Sequence, residues 1–143
     1  MVSVNKLLAG KRTNKVLALS PAAMVFEALE LMATENIGAV MIMDGDKLVG
    51  IFSERDYARK GIIQGRKAKT TSVTEVMTHN VYTVTPDMGI EDCMQMFTEM
   101  RIRHLPVMAD GKVTGLLSIG DIVNAMIMEQ KDHIQFLENY ITS

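Results

Sequence analysis

Two copies of one polar pattern, Gly-x-x-Ser-x-x-Asp, stand out as candidates for chemistry: Gly50-Ile51-Phe52-Ser53-Glu54-Arg55-Asp56 and Gly115-Leu116-Leu117-Ser118-Ile119-Gly120-Asp121. A serine at a helix start with an acid three residues on makes a capping box, and the carboxylate also favours the positive helix end. The same geometry can serve a ligand. Free N–H groups at a helix N-terminus bind anionic phosphate, and the serine hydroxyl can add a hydrogen bond. A carboxylate can accept two hydrogen bonds from a ribose diol, as acids do in dinucleotide sites. The two readings are compatible, because a cap can be exchanged for a ligand.

A second candidate is Arg101-Ile102-Arg103-His104-Leu105-Pro106-Val107, with basic residues just before an apolar strand. It reads as a solvent-exposed strand edge or as a phosphate clamp, since arginine binds phosphate oxygens bidentately. His104 is one of three histidines, and His79 and His133 lie at unrelated positions. No His/Cys/Asp spacing resembles a zinc site, neither repeated serine has nucleophile-elbow spacing, and no Gly-rich phosphate loop appears. Neither a catalytic residue nor a metal ligand is expected. An enzyme acting on a nucleotide would have only His104 as an acid–base group.

The patterns sit inside a duplication. Pro21 recurs as Pro86, Ile37 as Ile102, Gly50 as Gly115, Ser53 as Ser118 and Asp56 as Asp121, each pair 65 positions apart. Two similar sites facing one cleft are expected from it. Val16–Leu19 reads as a strand and Ser20-Pro21 as a helix start. Val25, Ala28, Leu29 and Met32 predict an amphipathic helix over 22–35. Gly38–Met43 and Lys47–Phe52 form a hairpin about Asp44-Gly45-Asp46, and Ser53 opens a second helix ending near Gly61 or Gly65. The second copy repeats the order: strand Val81–Val84, helix start Thr85-Pro86, apolar stripe Ile90, Cys93, Met94 and Phe97, hairpin strands His104–Met108 and Lys112–Leu117, and a last helix from Ser118. Cys93 stands where the first copy has Ala28, so it reads as a small core residue rather than a nucleophile.

The resulting division is an N-terminal helix and linker over 1–15, repeat one over 16–65, a linker over 66–80, repeat two over 81–125 and a helical extension over 126–143. Residues 3–9 predict a short amphipathic helix ended by Gly10. In the extension Val123, Ile127, Gln130, Ile134, Leu137 and Ile141 step by four and three, a heptad-like seam that packs on the domain or on a second chain.

Composition narrows the partners. The chain has 143 residues, 48% hydrophobic and 22% charged, with net charge −2. That is a globular composition, one domain in size. Without a basic excess, nucleic acid is not an expected partner; Arg66-Lys67-Ala68-Lys69 reads as a solvated loop. The 13 methionines fall mostly on apolar faces, where thioethers fill gaps. No apolar run reaches the ~20 residues of a membrane span. Met1-Val2-Ser3-Val4-Asn5-Lys6 leads into no apolar signal region, and the lone Cys93 cannot form an internal disulfide. A cytoplasmic, reducing setting is expected.

On Gly50–Arg59, Arg103–Val107 and Gly115–Val123, residues 13–125 resemble a tandem pair of CBS domains, the Bateman module, and most of all the small stand-alone bacterial pairs. The resemblance implies an α+β fold of two βαββα repeats packed about a pseudo-twofold axis, here with a long C-terminal helix. It also implies two clefts that bind adenosine-containing ligands (AMP, ADP, ATP, NAD(H) or S-adenosylmethionine), with no obligatory cofactor. Asp56 and Asp121 would hold ribose hydroxyls, and Ser53 and Ser118 would sit at ribose and phosphate. Thr78, Val81, Ile102 and Arg103 would face the Asp56 site; Thr13, Val16, Ile37 and Ala39 would face the Asp121 site. Arg55 and His104 would add phosphate contacts, while Gly120 takes the place of Arg55 at the Asp121 site. The Asp56 cleft is therefore expected to prefer the more phosphorylated group. The expected role is a non-enzymatic regulatory sensor that acts on an effector protein and forms a homodimer. The alternative is a constitutive dimerisation or interaction module with no ligand.

Overall fold

The computed structural model describes residues 2–10 and 16–142. The chain forms two units, Val16–Tyr82 and Met1–Lys15 joined with Thr83–Ser143.

In the first unit, strand β1 (Ala18–Leu19) pairs in parallel with β2 (Ala39–Asp44), and β2 pairs antiparallel with β3 (Lys47–Ser53). The hairpin turns at Gly45, whose φ is +61°, a left-handed value that costs a Cβ-free residue nothing. Ala39, Val40, Met41 and Ile42 are all buried, so β2 reads as a continuous apolar run rather than an alternating one. Helix α2 (Val25–Glu35) lays Val25, Ala28 and Met32 on this sheet. It ends at Asn36 in the left-handed conformation, with the Ile37 N–H reaching back to the Met32 carbonyl at 3.0 Å. A short helix α3 (Glu54–Asp56) runs into a π-helical stretch over Tyr57–Ile62.

Residues 66–80, which the sequence marks as linker, are largely built into this unit. The Val25 N–H donates to Thr71, the Val73 N–H to Ala23, and Ile51 and Thr78 exchange backbone bonds of 3.0 and 2.8 Å. Val73, Val76 and Met77 are thereby buried. Gly50 is needed because a Cβ there would collide with the Met77 thioether.

The second unit repeats the devices. Strands β4 (His104–Ala109) and β5 (Lys112–Ser118) form a hairpin about Asp110-Gly111, with φ of +52° and +77°. Helix α4 (Ile90–Met100) buries Ile90, Cys93 and Phe97 and ends at left-handed Arg101, the counterpart of Asn36. Cys93 is a core residue, as its match with Ala28 implies. Helix α1 (Val4–Ala9) docks here: Val4 and Asn5 donate to Met88 and Pro86 at 2.8 Å each, and Leu8 lies against Gly115. Thus the segment that precedes each repeat in the chain packs on the other repeat. The last helix, α5 (Ile119–Thr142), is continuous over 24 residues.

Two expectations are corrected. Ser20-Pro21 and Thr85-Pro86 do not start helices. The Ser20 hydroxyl and carbonyl take the Ala22 and Ala23 N–H groups at 3.1 Å each, closing a turn. The chain then stays extended to bridge Met24 with Ser72, as Gly89 bridges Ser3 in the second unit, so the helices begin at Val25 and Ile90. The strand expected over Val81–Val84 is a single parallel bridge, Val84 with Val107.

Candidate ligand-binding site

Each Ser-x-x-Asp closes the end of a hairpin strand onto the helix that follows. In the first unit the Ser53 N–H donates to Asp56 Oδ2 at 3.0 Å and the Asp56 N–H donates to Ser53 Oγ at 3.1 Å. The Ser53 hydroxyl also donates to Oδ2, at 3.1 Å. In the second unit the matching bonds are 2.9 Å from the Ser118 N–H to Asp121 Oδ2 and 3.1 Å from the Asp121 N–H to Ser118 Oγ. Both patterns are reciprocal capping boxes.

One further amide is engaged in each copy. The Glu54 N–H donates to the Gly38 carbonyl at 3.1 Å, and the Ile119 N–H to the Arg103 carbonyl at 2.9 Å. With two of the first three helix donors already committed, an anion would have to displace a bond to use the bare N-terminus.

The two oxygens of Asp56 differ. Oδ2 carries the box. Oδ1 meets the Thr78 hydroxyl at 3.4 Å and Lys60 Nζ at 3.7 Å, both long contacts. The Asp56 side chain is 15% exposed and that of Lys60 44%. One carboxylate oxygen is therefore held firmly while the other has only weak partners near solvent, the arrangement a ligand hydroxyl can exploit. Arg55 is half-buried on the same helix start.

Of the residues expected at the Asp56 site, the first unit brings Ser53, Arg55, Asp56 and Thr78 together, with Val81 half-buried further along the chain. Ile102, Arg103 and His104 belong to the second unit. There Ile102 packs on the core under α4, Arg103 is exposed, and His104 is half-buried at the start of β4, opposite Ser118. Of those expected at the Asp121 site, Gly120 is exposed beside Ser118, whereas Val16, Ile37 and Ala39 lie in the first unit. Ile37 packs on that unit's core, Ala39 is fully buried opposite Ser53 in the hairpin, and Val16 is 41% exposed. Thr13 lies outside the described residues.

Lys60 was not foreseen. Its signal is the spacing Asp56-x-x-x-Lys60, which puts the pair on one helical face. Its counterpart in the second repeat is Ala125, so the two sites differ in charge at two positions: Arg55 and Lys60 against Gly120 and Ala125. Among the described residues no group of His, Cys, Asp and Glu side chains could hold a metal ion, and no helix is long and apolar enough to cross a membrane.

The sequence and the fold match known proteins. The CBS domain family model matches residues 12–62 and 73–128. The chain belongs to the CBS domain family, as a tandem pair. The structure of a protein with CBS domains from Burkholderia ambifaria superposes with a TM-score of 0.87 at 42% identity, over 90% of this chain and 96% of that one. The mitochondrial CBS domain-containing protein CBSX3 of Arabidopsis thaliana is 41% identical over 82% of this chain, which spans 59% of that relative's length. The CBS domain pair of protein MJ0100, solved in complex with 5′-methylthioadenosine and S-adenosyl-L-methionine, superposes with a TM-score of 0.77 at 25% identity, over 87% of this chain and 99% of that one.

Proposed function

We propose that the chain is a regulatory module that binds an adenosine-containing ligand through Asp56 and Asp121 and passes the binding state to an effector protein. The observation that carries this reading is the split duty of the Asp56 carboxylate, one oxygen locked in the box and the other weakly partnered beside Thr78 and Lys60. The MJ0100 pair supports the ligand class, because both of its ligands present an adenosine ribose. AMP, ADP, ATP and NAD(H) share that feature. Arg55 and Lys60 favour the more phosphorylated ligands at the Asp56 site, where the Asp121 site has Gly120 and Ala125. The module acts by binding rather than catalysis: a ligand that prefers one arrangement of the protein shifts its equilibrium by its differential affinity. The protein works as a homodimer.

The test is a thermal-shift panel with AMP, ADP, ATP, NAD, NADH and S-adenosylmethionine. A ligand at 100 times its Kd stabilises by about 2.7 kcal/mol, a shift of several degrees. One observation favours a second reading, a constitutive interaction module: Ile134, Leu137 and Ile141 on α5 stand exposed. No shift with any ligand would select it.

A further inference from the structure

The stretches that surround the two acids differ in charge. Residues 55–69 carry six basic side chains, Arg55, Arg59, Lys60, Arg66, Lys67 and Lys69, against one acid, Asp56. Their counterparts over 120–134 carry one lysine, Lys131, against Asp121, Glu129 and Asp132. The first run therefore has a net charge of +5 where its copy has −2. The whole chain carries −2, so the residues outside 55–69 together carry −7. The fold gathers the positive charge. A left-handed turn at Gly65 brings the Arg66 N–H back to the Gly61 carbonyl at 2.9 Å, so Arg66 and Lys67 return beside the residue that follows Lys60. The carbonyls of Ala68 and Thr71 then take the Phe26 and Val25 N–H groups, and Lys69 lies 5.1 Å from the centre of the Phe26 ring. Arg59, Arg66, Lys67 and Lys69 are exposed, and Arg55 and Lys60 are half-buried. Lys60 reaches Asp56 at 3.7 Å and Arg66 reaches Glu75 at 3.3 Å. Among the described residues no carboxylate pairs with Arg55, Arg59 or Lys67.

We propose that the basic face over residues 55–69 docks a short acidic segment of the effector protein, and that a nucleotide held at Asp56 releases it. The inference deepens the function proposed above by giving the effector its chemistry, and it rests on that reading. Charge complementarity selects an acidic partner and rejects basic surfaces, because like charges brought together across an interface are costly. Extent decides among acidic partners. A duplex or a bilayer presents negative charge over a wide area and meets the −7 of the remaining chain, whereas a short segment meets the run alone. Arg55 and Lys60 belong both to this face and to the Asp56 site. Phosphate oxygens beside them cancel positive charge in the run and set like charges against the segment. Nucleotide and segment therefore oppose each other, and by linkage each weakens the other by the same factor. The Asp121 site has no such face, so its occupant leaves the segment in place.

The test is fluorescence anisotropy of a short, labelled Glu-rich peptide with the whole chain. Binding should weaken as salt rises. Arg59→Glu/Lys67→Glu should weaken it by roughly tenfold or more, and Arg59→Gln/Lys67→Gln by less, both with the thermal transition retained because the two sites are exposed. Lys112→Glu/Lys131→Glu makes the same change in net charge on the other unit and should leave binding unchanged. Saturating ATP should weaken the peptide by about fivefold or more, and Asp56→Asn should remove that effect. Equal losses in the two glutamate doubles, or tighter binding of an oligonucleotide or of anionic vesicles than of the peptide, would overturn the proposal. A fall in the chain's sedimentation mass on Arg59→Glu/Lys67→Glu would overturn it too, by assigning the face to a second copy. So would peptide binding indifferent to ATP in a protein that the thermal-shift panel shows to bind ATP. If that panel shows no nucleotide binding, the sensor reading fails and the release step with it, while the salt and substitution arms still decide the docking face.

Discussion

Asp56→Asn separates the two duties of the carboxylate. The cap uses Oδ2, which receives the Ser53 N–H at 3.0 Å, and an asparagine carbonyl can replace it there. What asparagine loses on the protein side is the contact to Lys60, at 3.7 Å and with Lys60 44% exposed, so solvent screening leaves it under about 0.5 kcal/mol. The long Thr78 contact adds little. Ligand-free Asp56→Asn should therefore melt close to wild type. Asp56→Ala loses both Ser53 bonds as well, from the N–H and the hydroxyl, about 1–2 kcal/mol, or several degrees for a chain this size. In the proposed site a ribose hydroxyl donates to the weakly partnered Oδ1, and asparagine puts an NH2 there. Losing a hydrogen bond to a charged acceptor costs about 1.5–3 kcal/mol, roughly 10- to 100-fold in Kd. At a ligand concentration 100 times the wild-type Kd, stabilisation would fall from about 2.7 to as little as about 0.4 kcal/mol. The assay is differential scanning fluorimetry of both variants and of Asp121→Asn, with and without nucleotide. Full ligand-induced shifts in both Asp56→Asn and Asp121→Asn would refute the ribose role and leave the acids as caps only.

Lys60→Gln should weaken ATP more than AMP in calorimetric titration, since the lost cation reads phosphate charge; equal losses would place Lys60 outside the phosphate path. Gly50→Ala should destabilise by about 1–3 kcal/mol in urea unfolding, because its Cβ must push aside the buried Met77 side chain. In Gly50→Ala/Met77→Ala the cost should be less than the sum of the singles, and strict additivity would locate the strain elsewhere. Burial pushes the Cys93 thiol up, with the Asp92 charge adding to it. The folded state then holds its proton longer than the unfolded state, so this contribution to stability is complete below the ordinary thiol range and is lost as pH rises through it. Urea midpoints should show that decline, and Cys93→Ala should lack it.

The duplication was legible because both copies solve the same local problems with the same residues. Gly50 and Gly115 each clear room for a side chain from the segment that precedes the other repeat. Ser53 and Ser118 each cap a helix with an acid three residues on. Asn36 and Arg101 close α2 and α4 in the same left-handed conformation, yet Arg101 carried no signal, since arginine is not a residue that advertises this backbone. The helix starts were misplaced for a related reason. A serine before a proline serves a turn as well as a helix. What decides between them is the pairing of Met24 with Ser72 and of Gly89 with Ser3, contacts about 50 and 85 residues away in sequence that no local pattern reports.

The candidate site shows the same division between local and distant information. Ser53, Arg55 and Asp56 are neighbours in the chain and could be picked out by spacing. Thr78 reaches Asp56 only because the stretch over 66–80 exchanges two backbone bonds with Ile51 instead of running free as a linker. Lys60 reaches it because the helix after Ser53 turns back onto Asp56 within one turn, although the copy at Ala125 gave no hint of a cation there. Duplication therefore works as a guide to what two sites share and conceals what sets them apart. The shared part is the acid that can hold a ribose. On the proposed function, the differing part, Arg55 and Lys60 against Gly120 and Ala125, would set selectivity between nucleotides, because a ribose-binding carboxylate alone cannot tell one adenosine derivative from another.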